Sequence, residues 1–174
     1  MKRKVRLQKF IVSKLGEVTA PETWSSNAVE IAATKYFRTI SPHQKEKSVP
    51  DLVTRVSYAV SAQVKKQKLV STSAKAFQEK LDQILLGQMA AFNSPVWFNM
   101  GLFEAYGIKT HSPHWAWDEK SKKILPVKNN FFKRPQASAC FIQSGPKNLE
   151  QVLQLAETEN LLFRYGSGTG SNFT

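Results

Sequence analysis

The stretch that decides the fold class runs over residues 138–172 and reads SACFIQSGPKNLEQVLQLAETENLLFRYGSGTGSN. Its first residues, 138–142, are small or apolar, which predicts a short buried strand. Residues 149–164 have helical spacing, and Gly166 is expected to close that helix. The inner face of the helix is predicted to comprise Val152, Leu153 and Ala156. A strand, a helix and a glycine-rich turn in this order indicate the first unit of an α/β domain.

Upstream of this stretch, the sequence predicts three amphipathic helices. In the first, Asn27 is expected to act as the cap, Glu30 is placed to reach back to it, and the helix should end near Thr39. Its inner face is predicted to comprise Ala28, Ile31, Ala32 and Tyr36.

The second helix begins at Ser48-Val49-Pro50-Asp51, which supplies a cap, an early-turn proline and an acidic residue. Its apolar residues are Val49, Leu52, Val53, Val56, Val60 and Val64. The third helix should start near Ser73 and must stop before Pro95. Its predicted inner face comprises Phe77, Leu81, Ile84, Leu85, Met89 and Phe92. We expect the three helices to pack as a small bundle.

The remaining segments allow the domain boundaries to be predicted. Residues 5–12, before a turn at Gly16, are of a β-forming type and predict a short strand or hairpin. Residues 41–47 and most of 93–137 are rich in loop-forming residues. The fold class is therefore predicted as mixed α/β and mainly helical. We expect an N-terminal arm (1–20), a helical domain (21–93) and the start of an α/β domain (94–174), with too few strands to complete a sheet.

Composition narrows the class of protein. The chain has 174 residues, 41% of them apolar, which is enough for a core of ordinary domain size. Its formal net charge of +12 favours phosphate-bearing partners. The lysine clusters at 2–9, 65–68 and 120–133 are as typical of solvated faces as of a binding groove. A basic nucleic-acid binder is one alternative, although no base-reading motif is recognisable.

The cysteine count and the apolar runs indicate the compartment. No apolar run approaches the roughly 20 residues that span a bilayer, and no signal-peptide core follows the basic start. One cysteine, Cys140, can form neither an internal disulfide nor a CxxC pair. These features predict a reducing, cytoplasmic setting.

Taken one at a time, the candidate functional residues are ambiguous. Cys140 has the pattern of a buried, inert cysteine. Residues 166–172 are either a flexible link or a turn whose N–H groups approach a ligand, and they fit neither a Walker A loop nor a dinucleotide fingerprint. Residues 93–99 are typical of a helix stop packed on a core. His43, His111 and His114 have no metal-ligand spacing, so we assign them no role and predict no metal site.

Four segments together resemble adenosylcobalamin-dependent (class II) ribonucleotide reductases. Three of them agree with that family's motifs in order and spacing: AAFNSPVWFN (90–99), PQASACFI (135–142) and FRYGSGTGSNF (163–173). The segment NAVEIAATKYFR (27–38) is similar to the family's N-terminal helical region. Agreement in several separate blocks is far more specific than any single motif.

The resemblance implies a fold and a chemistry. The fold would be a helical domain leading into a ten-stranded α/β barrel, incomplete in this chain. The reaction would reduce a ribonucleoside diphosphate to its 2′-deoxy form by a thiyl radical, with adenosylcobalamin as cofactor and a thioredoxin-type reductant acting indirectly. Cys140 matches one cysteine of the substrate-reducing pair. Ser94, Ala139, Cys140 and Gly168 match positions that contact the substrate.

The resemblance also implies what is missing. The family needs a radical-forming cysteine with a glutamate, a second reducing cysteine and most of the cobalamin contacts, none of which this chain supplies. We therefore expect an N-terminal fragment that is inactive without a downstream polypeptide. The alternative is a non-catalytic nucleotide-binding or regulatory module in which Cys140 is dispensable.

Overall fold

The computed structural model of the chain describes residues 5–42, 44–111, 114–164 and 166–172. Predictions that concern residues 2–4, His43, Tyr165 or Phe173 lie outside these ranges. Within them the chain is mixed α/β and mainly helical, with four separate two-stranded sheets. The predicted fold class is confirmed at this level, and the described strands do not close into a barrel.

The N-terminal segment is a hairpin. Strands β1 (Leu7–Val12) and β2 (Gly16–Pro21) pair in antiparallel fashion. Gly16 has a φ of +76°, a conformation that side-chain-bearing residues rarely adopt, and it turns the chain into β2. The buried side chains of the hairpin are those of Val12, Val18 and Ala20. Of the two predicted forms, strand or hairpin, the hairpin is confirmed.

The first helix differs from its prediction in its cap residue. Helix α1 (Ser26–Ile31) is capped by Ser25, whose extended backbone lets its Oγ accept a hydrogen bond from the Ala28 N–H. The predicted Asn27 cap is therefore wrong. Glu30 does not reach back to the cap, since its carboxylate accepts a hydrogen bond from Ser13 of the hairpin at 3.0 Å.

The buried residues of this segment are Val29, Ala32 and Ala33, whereas Ile31 is exposed. Of the predicted inner face, Ala32 is buried, Tyr36 packs against the core and Ala28 is partly buried, so the prediction is wrong only for Ile31. A π-helical turn (Ala32–Tyr36) ends the helix before Thr39, because β3 (Thr39–Ser41) pairs there with β4 (Gln44–Lys45).

The second helix begins as predicted and the third ends early. Helix α2 (Val49–Lys66) is capped by Ser48, whose Oγ accepts a hydrogen bond from the Asp51 N–H. Helix α3 (Ala74–Leu86) packs against α2 and is followed by a left-handed residue, Gln88, with φ of +54°. Met89 consequently lies beyond the helix and is 70% exposed, so its predicted inner position is wrong.

The helices share one core with the hairpin rather than forming a bundle of their own. The buried residues of this core are Val12, Val18, Ala20, Val29, Ala32, Ala33, Val49, Leu52, Val53 and Leu85.

The segment predicted as loops contains two short helices and a hairpin. Asn93 does not simply stop a helix, because its Oδ1 caps α4 (Ser94–Asn99) at the Val96 N–H. Helix α5 (Leu102–Tyr106) follows. Strands β5 (His114–Asp118) and β6 (Lys123–Val127) pair in antiparallel fashion, and a 3-10 turn (Phe131–Lys133) comes next.

Residues 140–171 form a parallel β–α–β unit. Strand β7 (Cys140–Gln143) leads through α6 (Leu149–Arg164) to β8 (Gly168–Ser171), and the two strands pair in parallel. The predicted strand and helix are confirmed, but the expected glycine-rich turn is largely a strand.

The predicted inner face of α6 is wrong. Leu155 is the residue that the helix buries, while Val152 and Leu153 are 44% and 64% exposed. The helix covers only two short strands in the described residues, and this narrow contact leaves most of its apolar side chains uncovered. No helix in the described ranges is both long and apolar enough to cross a membrane.

Candidate functional site

Three of the four predicted site residues lie side by side. In the parallel register of β7 and β8, Cys140 is the partner of Gly168. The Gly168 N–H donates a hydrogen bond of 2.6 Å to the carbonyl of Ala139. The structure therefore brings Ala139, Cys140 and Gly168 together, although 28 positions of sequence separate Cys140 from Gly168.

The two faces of this strand pair differ in what covers them. On one face, Gln143 donates a hydrogen bond to Thr169, and Ser171 contacts Glu159 of α6. Because side chains alternate along a strand, Cys140, Ile142, Gly168 and Gly170 all lie on the opposite face. We call these four residues the Cys140 face.

The Cys140 face is open in the described residues. Cys140 is exposed, and Ile142 is 90% exposed. The predicted buried strand is therefore wrong for Cys140, because only the face toward α6 is covered. An exposed thiol beside bare backbone can reach a bound molecule directly.

Backbone conformation does not explain why positions 168 and 170 are glycine. Neither has a positive φ. A Cβ atom at Gly168 would lie 3.6 Å from the Ala139 carbonyl oxygen, and one at Gly170 would lie 3.5 Å from Ile142, which are ordinary contacts. What the two glycines provide is space on the same face as the thiol, which lets a ligand approach the backbone closely.

The fourth predicted residue, Ser94, has a different environment. It is the first residue of α4, and its Oγ shares a hydrogen bond of 3.1 Å with the Tyr36 hydroxyl. The other end of α4 contacts the residues before β7. There, Asn99 donates a hydrogen bond of 2.8 Å to the Gln136 carbonyl. The described contacts thus link Ser94 to the helical part rather than to Cys140.

Sequence reasoning missed a buried ion pair below α4. Arg55 donates to Glu46 at 2.7 Å, and both side chains are fully buried. Arg55 also donates to the backbone carbonyls of Trp97 at 3.0 Å and Met100 at 2.5 Å. Charged residues are seldom fully buried, so residue type gives no signal for this pair.

Neighbouring groups complete this ion-pair cluster. The Tyr106 hydroxyl donates to Glu46 Oε1 at 2.9 Å, and the backbone N–H of Arg38 donates to Glu46 Oε2 at 2.8 Å. Burial strongly raises the pKa of Tyr106, and the Glu46 charge adds to this rise. Burial, together with the charge of Arg55, lowers the pKa of Arg38. The cluster fixes the C-terminal end of α4, where Asn99 donates its hydrogen bond to Gln136, ahead of β7.

The described histidines belong to the segment around the β5–β6 hairpin. His111 and His114 line a cavity beside the β5–β6 hairpin, and the ring of His114 packs edge-on against Phe131 at 4.7 Å between centroids. Among the residues that the structure describes, no three His, Cys, Asp or Glu side chains cluster in a way that could hold a metal ion.

Comparison with known proteins gives this site a context. Residues 6–86 match the family model described as class II vitamin B12-dependent ribonucleotide reductase. A vitamin B12-dependent ribonucleotide reductase from Rhodopirellula baltica is 35% identical over 158 residues, covering 88% of this chain and 15% of that protein. The protein of that name from Bradyrhizobium diazoefficiens is 33% identical over 204 residues, covering 94% of this chain and 16% of its own length.

This chain belongs to the class II ribonucleotide reductase family. It corresponds to an N-terminal part of such an enzyme. A third relative of the same name, from Streptomyces coelicolor, is 33% identical over 160 residues, which is 90% of this chain and 14% of that protein. The chain thus spans about 15% of the length of the curated relatives it matches.

Proposed function

We propose that this chain forms one side of the substrate site of a vitamin B12-dependent ribonucleotide reductase, and that Cys140 is one of the two cysteines that reduce the substrate. The observation that supports this proposal is the Cys140 face. An exposed thiol lies there beside two glycines that the fold itself does not require. The relatives' names supply the reaction class.

The proposed reaction balances with two thiols. A thiyl radical on a cysteine outside this chain abstracts the 3′ hydrogen atom of the ribose and later returns it. The 2′ hydroxyl leaves as water, taking a proton. Cys140 and a second cysteine outside this chain give up two electrons and two protons as their sulfurs form a disulfide bond. One proton leaves with the 2′ hydroxyl as water, and the other proton, with the two electrons, becomes the hydrogen on C2′ that replaces the broken C–O bond. The products are a 2′-deoxyribonucleotide, water and that disulfide.

The substrate contacts we propose follow from the geometry of each residue. The Ala139 carbonyl accepts the Gly168 N–H in the strand pair, and the bare Gly168 backbone leaves room for the ribose or its diphosphate. The Ser94 hydroxyl uses one hydrogen bond on Tyr36, and a hydroxyl has capacity for more. We propose that Ser94 approaches the substrate from the α4 side.

The cofactor is proposed to be adenosylcobalamin, which supplies the initiating radical when it is bound. The Cys140 face does not form a cradle for so large a group, since it is open rather than enclosed. We therefore assign most cobalamin contacts to other parts of the reductase and derive no step through the cofactor here.

The remaining assignments are part of the same proposal. One thiol cannot both start the radical and close a disulfide, so the chain needs the rest of the reductase as its partner. We propose a ribonucleoside diphosphate as the substrate, a thioredoxin-type reductant that restores the disulfide, and a cytoplasmic setting. We also propose residues 1–20 as an N-terminal arm whose described hairpin shares the core of the helical domain (21–93), and 94–174 as the beginning of the barrel.

The test combines this chain with the polypeptide that carries the rest of the reductase, adenosylcobalamin, a ribonucleoside diphosphate and a dithiol. We expect deoxyribonucleotide to form and Cys140→Ser to abolish repeated turnover. The matched control is Thr169→Ala, which alters the opposite face of the same strand pair and should retain turnover. Equal turnover by the Cys140→Ser protein would overturn the proposal. Nucleotide binding by the chain alone, unaffected by that substitution, would favour a regulatory module.

A further inference from the structure

The segments just before the two paired strands are tied to each other by side chains. The Gln136 amide donates hydrogen bonds to the Ser138 carbonyl at 2.7 Å and to the Ser167 hydroxyl. Its Oε1 accepts a hydrogen bond from the Ser138 N–H. The Ser167 hydroxyl in turn donates to the Ser138 carbonyl at 2.6 Å. We call Gln136, Ser138 and Ser167 the clasp.

The clasp lies next to the hydrogen bond that sets the register. Ser138 precedes Ala139, Ser167 precedes Gly168, and the Gly168 N–H donates to the Ala139 carbonyl. Ser167 is only 5% exposed, so the bonds of its hydroxyl are protected from water. The clasp therefore closes where β7 and β8 begin.

The register of this strand pair needs stabilisation by contacts outside the strands. Each strand has four residues, two of those in β8 are glycines, and no third strand of the described residues pairs with them. Isolated strand pairs are marginal in water, and glycine weakens a strand further. A slip of one residue would move Cys140 to the face that α6 covers, because side chains alternate.

The clasp is also anchored to the helical part. Asn99 donates to the Gln136 carbonyl, so the backbone of the same residue is held from α4. The end of α4 is held in turn by Arg55 through the Trp97 carbonyl. The hydrogen bonds from Arg55 to Trp97 and from Asn99 to Gln136, joined by the backbone of α4, thus connect the buried ion pair to the residues before β7.

We propose that Gln136 is a positioning residue that, with Ser167, fixes the register in which Cys140 lies opposite Gly168. Its importance for catalysis rests on the proposed function. Its effect on the strand pair does not, since the hydrogen bonds exist within this chain. The two claims can therefore be tested separately.

The first test measures amide hydrogen exchange of this chain by NMR for Gln136→Ala, Ser167→Ala and the double variant. Each single substitution should lower the protection of the Gly168 amide by about tenfold, the size of a net hydrogen-bond contribution. The double variant should lose little more than either single one, because the two residues share one network. Amides in α2 should keep their protection.

The matched control is Gln151→Ala, which removes a side-chain hydrogen bond of 2.8 Å from the Lys147 N–H in the same β–α–β unit. It should leave Gly168 protected. Unchanged protection in Gln136→Ala, or multiplicative losses in the double variant, would overturn the positioning role.

The second test measures steady-state reduction by the assembled reductase. Gln136→Ala should lower kcat by about tenfold or more with a smaller change in KM, because the thiol is misplaced rather than lost. An unchanged kcat despite lost Gly168 protection would overturn the catalytic part of this inference. The proposed function fails on a different result, namely full turnover by Cys140→Ser.

Discussion

Helices α2 and α6 are both amphipathic, yet they are covered very differently. Helix α2 buries Leu52 to 2% exposure and holds a fully buried Glu46–Arg55 pair against its neighbours. Helix α6 leaves Leu153 64% exposed and buries only Leu155. Burial around α2 therefore stabilises the fold. The β7–α6–β8 unit adds little stability and instead presents a thiol, two glycines and uncovered apolar side chains.

The largest expected effect comes from the buried ion pair. Glu46→Ala leaves Arg55 charged, buried and without its carboxylate, which should cost about 3–5 kcal/mol of unfolding free energy. Urea unfolding followed by tryptophan fluorescence measures this. The control is Glu17→Ala, which breaks the exposed Lys9–Glu17 pair and should cost at most about 1 kcal/mol. An equal loss of unfolding free energy in Glu46→Ala and Glu17→Ala would contradict the stabilising role of burial around α2.

The second effect compares one leucine from each helix. Leu52→Ala should cost about 2–5 kcal/mol, because it opens a cavity in the core. Leu153→Ala should stay within about 0.5 kcal/mol, since its side chain is already largely exposed. The same urea titration serves both variants. A costly Leu153→Ala in this chain alone would show that α6 is covered after all.

A third effect separates stability from function at Gly168. Gly168→Ala should change the unfolding free energy by no more than about 1 kcal/mol, with stabilisation the expected sign, because the added Cβ meets only an ordinary contact. In the assembled reductase the same methyl group should raise KM on the order of tenfold by displacing the substrate. Steady-state kinetics and thermal unfolding test the two halves. Loss of stability with unchanged KM would reverse the interpretation of this glycine.

The smallest effect concerns Asp82 of α3, to which the Ser57 hydroxyl of α2 donates a hydrogen bond. Partial burial raises the pKa of Asp82 above its ordinary 3.8, and the hydrogen bond from Ser57 opposes that rise. A raised pKa in the folded state means a contribution to stability that is present below 3.8 and lost as pH rises through the folded pKa.

The unfolding free energy should therefore fall with rising pH in the parent chain relative to Asp82→Asn. Ser57→Ala should move this fall to higher pH, because it removes the interaction that lowers the pKa. Parallel pH profiles of the parent and Asp82→Asn would contradict the account.

The sequence predicted those elements whose signals are local. Ser48 and Asp51 cap α2 as expected, and residues 149–164 form the expected helix. Which residues a helix buries depends on what packs against it, so the predicted face of α6 was wrong and that of α1 was wrong at Ile31. The β5–β6 hairpin was missed because glycines and prolines around it indicated loops, and Pro126 lies within β6 itself.

The sequence supplied candidate site residues, which stay predictions, but not their geometry. Resemblance singled out Cys140 and Gly168, but the parallel pairing that makes them neighbours depends on a crossover through α6. The sequence predicted a turn where β8 lies, because glycines at 166, 168 and 170 are typical of turns. The Gln136–Ser167 contact and the buried Glu46–Arg55 pair join distant segments, which residue type alone does not reveal.

The most direct test of the central claim is the state of Cys140 after one turnover. The assembled reductase, fully reduced and then freed of external dithiol, is given adenosylcobalamin and a ribonucleoside diphosphate, and its cysteines are mapped by mass spectrometry. We predict one deoxyribonucleotide formed for each Cys140 found in a disulfide with a cysteine outside this chain. Deoxyribonucleotide formed in equal yield by the Cys140→Ser protein under the same conditions would contradict the account.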